Sequence, residues 1–481
     1  MDGHLHLAPA DHGKAGSRHS PPYIPRIGAV VLDTPRGGQG WSSIPGGIPE
    51  KIKALASLTS DTIWWLNVPY KIFFEQGFTA GAGNFRHDKW FNIGQQDVLR
   101  ETCLTREAPS SADAAETLSF TAETIALLAE QLAESCAVPA SMVLRAHSLA
   151  KGLTSLIGDA VLVPEEFRQK LGADENSASF VRTAANKTGK RTVRFTRPRL
   201  SYVIDVLNTP VPKGAVAWAR PVPTDPMSDI RRALNPVIAD ITISKADPRR
   251  AGLYNFSQAE NGGGLPRTTA AHPELIALDG FAVVQVHSLW AGDGYVKAID
   301  TLPTAIRSFL RDPGCSVSWS GGILAMELLR ALMAPRQNRH REKCMTWRGV
   351  FLKANARVLA FSNAFSLSSE GFMPAAYGCG WMDVQIPDDP THDIHLLMAA
   401  LRLGYLPAPG AFAPDTLARA FSGEFGEPAP EGGWGTGRFM ADTHLTGRGD
   451  LVRLADRAPL LDNGEQAALF ARLNREMRRR A

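Results

Sequence analysis

Apolar and polar positions change period several times along the chain, and each change marks an element. Residues 1–26 have no periodic apolar positions and are rich in Gly, Pro, Ser and His, which predicts a flexible arm. The run IGAVVLD (27–33) predicts a short buried strand leading into a Gly-rich loop, TPRGGQGWSSIPGG. The aromatic stretch DTIWWLNVPYKIFF (61–74) is compatible with a strand or a buried helix. Over 111–136 the period becomes helical: Leu118, Ile125, Leu128 and Leu132 form an apolar stripe, and Ser110 with Asp113 makes a capping-box start. A second helix is expected at 140–157, so this region reads as a helical hairpin.

From residue 178 the alternation is that of strands. SFVRTA, the turn NKTG and KRTVRFT predict a β-hairpin, and YVIDVL (202–207), VIADITI (237–243), FAVVQVH (281–287) and SVSW (316–319) predict further strands. Helical segments are expected at 295–311 and 323–333. Residues 408–436 are rich in Pro and Gly, and GEQAALFARLNREMRRR predicts a closing helix. There is no internal repeat. The alternation predicts an α/β fold with a mixed sheet, an early helical hairpin and a helical C-terminus. The domain reading is an arm (1–26), an α-rich region (27–175), a mixed α/β domain (176–407), and a linker with a terminal helix (408–481).

Charge changes this picture more than composition does. The net charge of +4 is small, but its distribution is segregated. Six acids and no Lys or Arg lie between Glu107 and Glu134, which suits a basic protein partner on the helix at 111–136. The stretch NKTGKRTVRFTRPRLSY (186–202) then carries Lys187, Lys190, Arg191, Arg194, Arg197 and Arg199 without an acid. On its strand, Val193 and Phe195 point one way while Arg194 and Thr196 point the other. An exposed row of guanidinium groups suits a phosphate backbone, whose neutralisation releases counterions. Phe195 and Tyr202 are available for packing or base stacking. The alternative is a solvated sheet face whose arginines pair with the acidic helix.

A second segment, 334–358, holds Arg336, Arg339, Arg341, Lys343, Arg348, Lys353 and Arg357 against the single acid Glu342. Trp347 and Phe351 lie within it at i,i+4 spacing and read as core. Two basic segments and the terminal REMRRRA point to nucleic acid, RNA or DNA, bound by one subunit of a larger complex.

Five scattered cysteines without a C-x-x-C pair, the lack of an apolar h-region in the first residues and the absence of long apolar runs give a cytoplasmic reading without a membrane partner. No cofactor or metal is implied by this reading, and no catalytic set is assigned. A rival reading starts from MDGHLHL and VVQVHSLWAGDG. His4-x-His6, with His287 at a strand end, resembles the metal-binding strand ends of the amidohydrolase superfamily and implies a metal-dependent hydrolase. SVSWSGGILAMELLRALM (316–333) resembles the phosphate loop of the PP-loop ATP pyrophosphatases. Leu324 and Ala325 stand where that family has Asp and Ser/Thr, and close helix packing also accounts for Gly321 and Gly322. His392 and His395 share one side of a helix, and the loop NGGGLPRT (261–268) allows close backbone approach to a ligand. A third reading is a structural or assembly protein whose acidic helix and basic hairpin meet neighbouring copies.

Overall fold

The computed structural model describes residues 26–34, 37–45, 47–52, 58, 62–66, 84–86, 111–138, 153, 157, 161–172, 179–181, 190–197, 199–246, 269–280, 282–311, 319–333, 336–337, 343–387, 389–408, 411–413, 416 and 419. The N-terminal arm, the NKTG turn, the NGGGLPRT loop and the closing helix lie outside them, as does nearly all of the helix expected at 140–157.

The first sheet contains β1 (Arg26–Thr34), β2 (Gly37–Ser43), β3 (Glu50–Ile52), β4 (Thr62–Leu66) and β5 (Asn84–Arg86), in the order β3-β2-β1-β4-β5. It is mixed: β2 and β3 continue antiparallel from β1, whereas β4 and β5 run parallel to it. The Gly-rich segment after β1, read as a loop, thus supplies β2. Alternate residues of β1 face opposite ways, as the period of a strand requires. Ile27, Ala29 and Val31 join one core and Val30 and Leu32 another. The first of these faces is covered by α1 (Ser111–Ser135), whose Leu118, Ile125, Leu128 and Leu132 are all buried as their spacing predicts. Ala115, Ala122, Ala126 and Ala129 let the helix approach the sheet closely.

The chain continues through α2 (Glu165–Gly172), β6 (Ser179–Val181), β7 (Lys190–Thr196) and α3 (Arg199–Leu207). Two expectations change here. Residues 202–207 are helical, because Leu200, Val203 and Val206/Leu207 repeat at helical spacing and all four are buried. The hairpin expected over 178–196 does not form either. β6 pairs with a much later strand, and β7 with two others, so the two ends of this stretch are not neighbours in the sheet.

Next come β8 (Pro210–Pro212), β9 (Val216–Arg220), α4 (Pro226–Arg232), β10 (Val237–Ala246), β11 (Thr269–Ala271), α5 (His272–Leu278), β12 (Ala282–Gly292) and β13 (Tyr295–Lys297). β11-β10-β12-β9 form an antiparallel sheet, and β13 pairs with β8. The region expected to be helical at 295–311 therefore begins as a strand and a 3-10 turn before α6 (Thr304–Arg311).

α7 (Trp319–Met333) begins at the last residue of the expected strand SVSW, and the glycine pair lies in its first turn. A Cβ on Gly322 would sit 3.1 Å from Arg199 Cβ and 3.2 Å from Leu200 N, so this glycine lets α7 press against the start of α3. Close packing accounts for it.

The remaining elements are β14 (Arg336–Gln337), β15 (Lys343–Cys344), α8 (Trp347–Ser369), β16 (Met373–Gly378), β17 (Trp381–Pro387), α9 (Pro390–Arg402) and β18 (Leu406–Pro407). The third large sheet has the order β18-β7-β17-β16-β6 and is antiparallel throughout. α8 bridges two cores. Trp347, Phe351 and Leu352 belong to the core under α1, α3 and α7, while Phe361, Ala364 and Leu367 belong to the core under β7 and β17. The described residues are those of an α/β protein with mixed and antiparallel sheets and helices towards its C-terminus. No described helix is long and apolar enough to cross a membrane.

Candidate nucleic-acid interface

The basic strand β7 alternates as its sequence predicts. Val193 and Phe195 are buried, and Lys190, Thr192 and Arg194 are exposed. Phe195 packs in the core 5.9 Å from the Phe412 ring, and Tyr202 is buried on α3, so neither presents a face for stacking. Trp347 and Phe351 are core residues as read.

β17 completes the exposed surface. It pairs with β7 so that Asp383 lies opposite Arg194, Gln385 opposite Thr192 and Trp381 opposite Thr196. Met382, Val384 and Ile386 alternate inward and are buried. A two-residue turn, Cys379–Gly380, joins β16 to β17, and Gly380 takes a φ of +83° that favours glycine.

The four arginines of the first segment have structural settings that the stretch alone does not reveal. Arg194 donates from Nε and Nη2 to the two carboxylate oxygens of Asp383, at 2.7 and 2.8 Å. Its guanidinium lies over the Trp381 ring, 4.6 Å from the centroid. Arg191 pairs with Asp393 on α9, donates to the Ala411 carbonyl at 2.8 Å and lies over the Phe412 ring. Arg197 pairs with Asp205 on α3 and packs near the Tyr405 ring. Arg199 opens α3 and is also engaged. Lys190 is exposed at the end of β7 and has no carboxylate partner among the described residues. Lys187 lies outside them.

The expectation that these charges stay unpaired is therefore not met for Arg191, Arg194 and Arg197. Their acids come from other elements, and none of Asp205, Asp383 and Asp393 belongs to the helix at 111–136.

In the second segment, Arg357 is 11% exposed and donates at 2.7 Å to Glu274, which is 1% exposed. Glu274 also accepts from the Ala271 amide at 3.0 Å. Arg348 is buried and donates to Thr301 Oγ1 at 3.1 Å. Lys353 is half-buried and engaged. Arg336 and Lys343 stand on β14 and β15, which pair as a hairpin, and Arg339 and Arg341 fall in the connecting residues outside the described set. The two basic segments meet in one hydrophobic core, where Leu200 and Tyr202 pack with Trp347 and Phe351.

The histidines fall elsewhere. His287 is exposed on β12 with Nε2 2.8 Å from Thr242 Oγ1, not buried as a lone strand histidine usually is. His392 pairs with Asp389 at 3.2 Å, and His395 is exposed on the same helix. His4 and His6 lie outside the described residues, among which no group of three or more His, Cys, Asp or Glu is placed to hold a metal ion. Of the six acids between Glu107 and Glu134, the side chains described are those of Glu130, which is half-buried and engaged, and Glu134, which is exposed.

Sequence reasoning missed Trp381, Asp383 and the β16–β17 hairpin. The signal was present as the alternation Met382, Val384, Ile386 after a Cys-Gly turn.

No family model and no curated protein sequence matches the chain. Among solved structures it shows a distant likeness to Phi29 DNA polymerase. The orthorhombic crystal form matches at 9% identity and a TM-score of 0.38, over 77% of this chain and 82% of the polymerase. The ternary complex with primer-template DNA and incoming nucleotides matches at 9% identity and 0.37 over the same shares. The binary complex with primer-template DNA matches at 11% identity and 0.33, over 59% of this chain and 53% of the polymerase, so that match spans about half of the polymerase's length. At these scores the function has to be argued from the site.

Proposed function

We propose that the chain binds nucleic acid as one subunit of a nucleoprotein complex, through the outward face of β7 and β17 in the β18-β7-β17-β16-β6 sheet. The observation that carries this reading is the two-sidedness of that sheet. One face is packed with Val193, Phe195, Met382, Val384 and Ile386, and the other turns Lys190, Thr192 and Arg194 to solvent beside Trp381. A cationic, hydrogen-bonding surface with an aromatic ring is the combination that holds a nucleic-acid strand.

In this reading the phosphate contacts fall to Lys190, exposed on β7, and to Lys187, Arg336, Arg339, Arg341 and Lys343 of the two basic segments. Arg191, Arg197, Arg348 and Arg357 support the fold behind them. The exposed carboxylate of Glu134 at the end of α1 supports a separate contact with a basic protein partner.

The test is a salt titration of binding to a labelled oligonucleotide. Replacing Lys190 by Ala is expected to lower the slope of log affinity against log salt by about one. An unchanged slope for Lys190→Ala, with the same fold, would remove Lys190 from the interface.

A further inference from the structure

We infer that Arg194 and Trp381 form a base-stacking site for single-stranded nucleic acid, in which Arg194 meets the plane of a base rather than a phosphate. This inference rests on the nucleic-acid reading above and gives its sheet face a specific ligand.

The stack is built upward from the sheet. Gly378 on β16 lies opposite Trp381, and a Cβ there would come within 2.5 Å of Trp381 Nε1 and 2.7 Å of Cε2. The indole therefore lies against the backbone of β16, which only a glycine allows. Arg194 lies over the same ring, 4.6 Å from its centroid. Its Nε and Nη2 are both held by Asp383, which fixes the orientation of the planar group. The Arg194 side chain is still 54% exposed. A base arriving at this face meets a fixed, delocalised plane, and guanidinium planes take stacked bases as aromatic rings do.

Asp383 also decides against a phosphate at this point. Its carboxylate neutralises Arg194, so a phosphate that displaced it would give up a two-bond fork and then lie beside a carboxylate. A stacked base keeps both bonds. Lys190, two alternations along the same face of β7, supplies the charge that Arg194 does not. Bases within a duplex stack on one another and have no such face to offer, so the ligand is single-stranded.

The experiment uses the full chain, a labelled 20-nucleotide oligothymidylate and an abasic oligonucleotide of the same length, with affinity measured across salt. Arg194→Ala and Arg194→Lys are both expected to weaken oligothymidylate binding roughly tenfold with the salt slope unchanged. Lys keeps the charge and loses the plane. The wild type is expected to bind the abasic strand with about the affinity of the Arg194 variants, and those variants to lose nothing further on it. Full affinity in Arg194→Lys, or a slope lowered by about one in Arg194→Ala, would make Arg194 a phosphate contact and overturn the inference. Lys190→Ala would still lower the slope in that case, leaving the broader reading intact. Failure of the wild type to bind any of these strands at low salt would overturn both.

Discussion

Two arginine–carboxylate pairs in this molecule have the same Nε–oxygen distance of 2.7 Å, yet they work in different media. Arg357–Glu274 joins α8 to α5 in the interior, where both side chains are almost out of water. Arg194–Asp383 lies across two strands on an open face, with the arginine more than half exposed. Bond length alone says nothing about what a pair contributes. The inner pair satisfies charges that the fold has already removed from solvent. The outer pair holds a flat group in place at little energetic consequence.

The sharpest way to break the comparison is to remove one partner of each pair. Arg357→Ala leaves the Glu274 carboxylate buried without its counter-charge and is expected to cost about 3–5 kcal/mol in a denaturant titration. A loss below about 1 kcal/mol would mean that the interior here is as well solvated as the surface.

A pH series sharpens the same contrast. His272, two residues before Glu274, is buried. Its Nε2 lies 2.9 Å from the Ile230 carbonyl and must donate to it, so Nδ1 accepts from the Tyr295 hydroxyl at 2.5 Å. Burial lowers the His272 pKa from its ordinary 6.5, so the fold disfavours the charged ring. The unfolded chain then binds the extra proton more readily. Stability is present above pH 6.5 and falls as the pH drops below it, by at most about 1.4 kcal/mol per pH unit from this group. Chemical denaturation between pH 7 and pH 5 is expected to show this fall, and His272→Gln to flatten it. The same slope in the variant would assign the effect to other groups.

The smallest effect is expected on the open face. Asp383→Asn should change stability by less than about 1 kcal/mol, since the arginine of the pair is more than half exposed and water screens the attraction. It should act on binding instead. With its counter-charge gone, Arg194 attracts phosphate, and the salt slope is expected to steepen by up to about one. A large stability loss without a change in slope would make Asp383–Arg194 an interior-type pair after all.

Much of this architecture is legible in the residues. The apolar stripe of α1 and the inward positions of β7 follow from periodicity, and Trp347 and Phe351 fall in the core as their setting in a helix suggests. What is not legible is long-range pairing. Arg194 and Asp383 are 189 positions apart, and Arg191 and Asp393 are 202 apart, so a stretch without acids reads as unpaired when it is not. Local appearance also misleads at 202–207, where β-branched and aromatic residues suggest a strand. The spacing of Leu200, Val203 and Val206 buries one side of a helix instead. The NKTG stretch resembles a hairpin turn, but β7 finds its partners in β17 and β18, and a strand's partner depends on the whole sheet.

The most direct test of the central claim, that the open face of this sheet holds single-stranded nucleic acid, is photo-crosslinking. The 481-residue chain would be bound to an oligonucleotide carrying 5-bromodeoxyuridine, irradiated, digested, and the crosslinked peptides identified by mass spectrometry. The account predicts crosslinks on peptides containing Trp381 or Arg194, lost in Arg194→Ala under conditions where the remaining complex still forms. Crosslinks confined to other parts of the chain, with none on either strand, would contradict it.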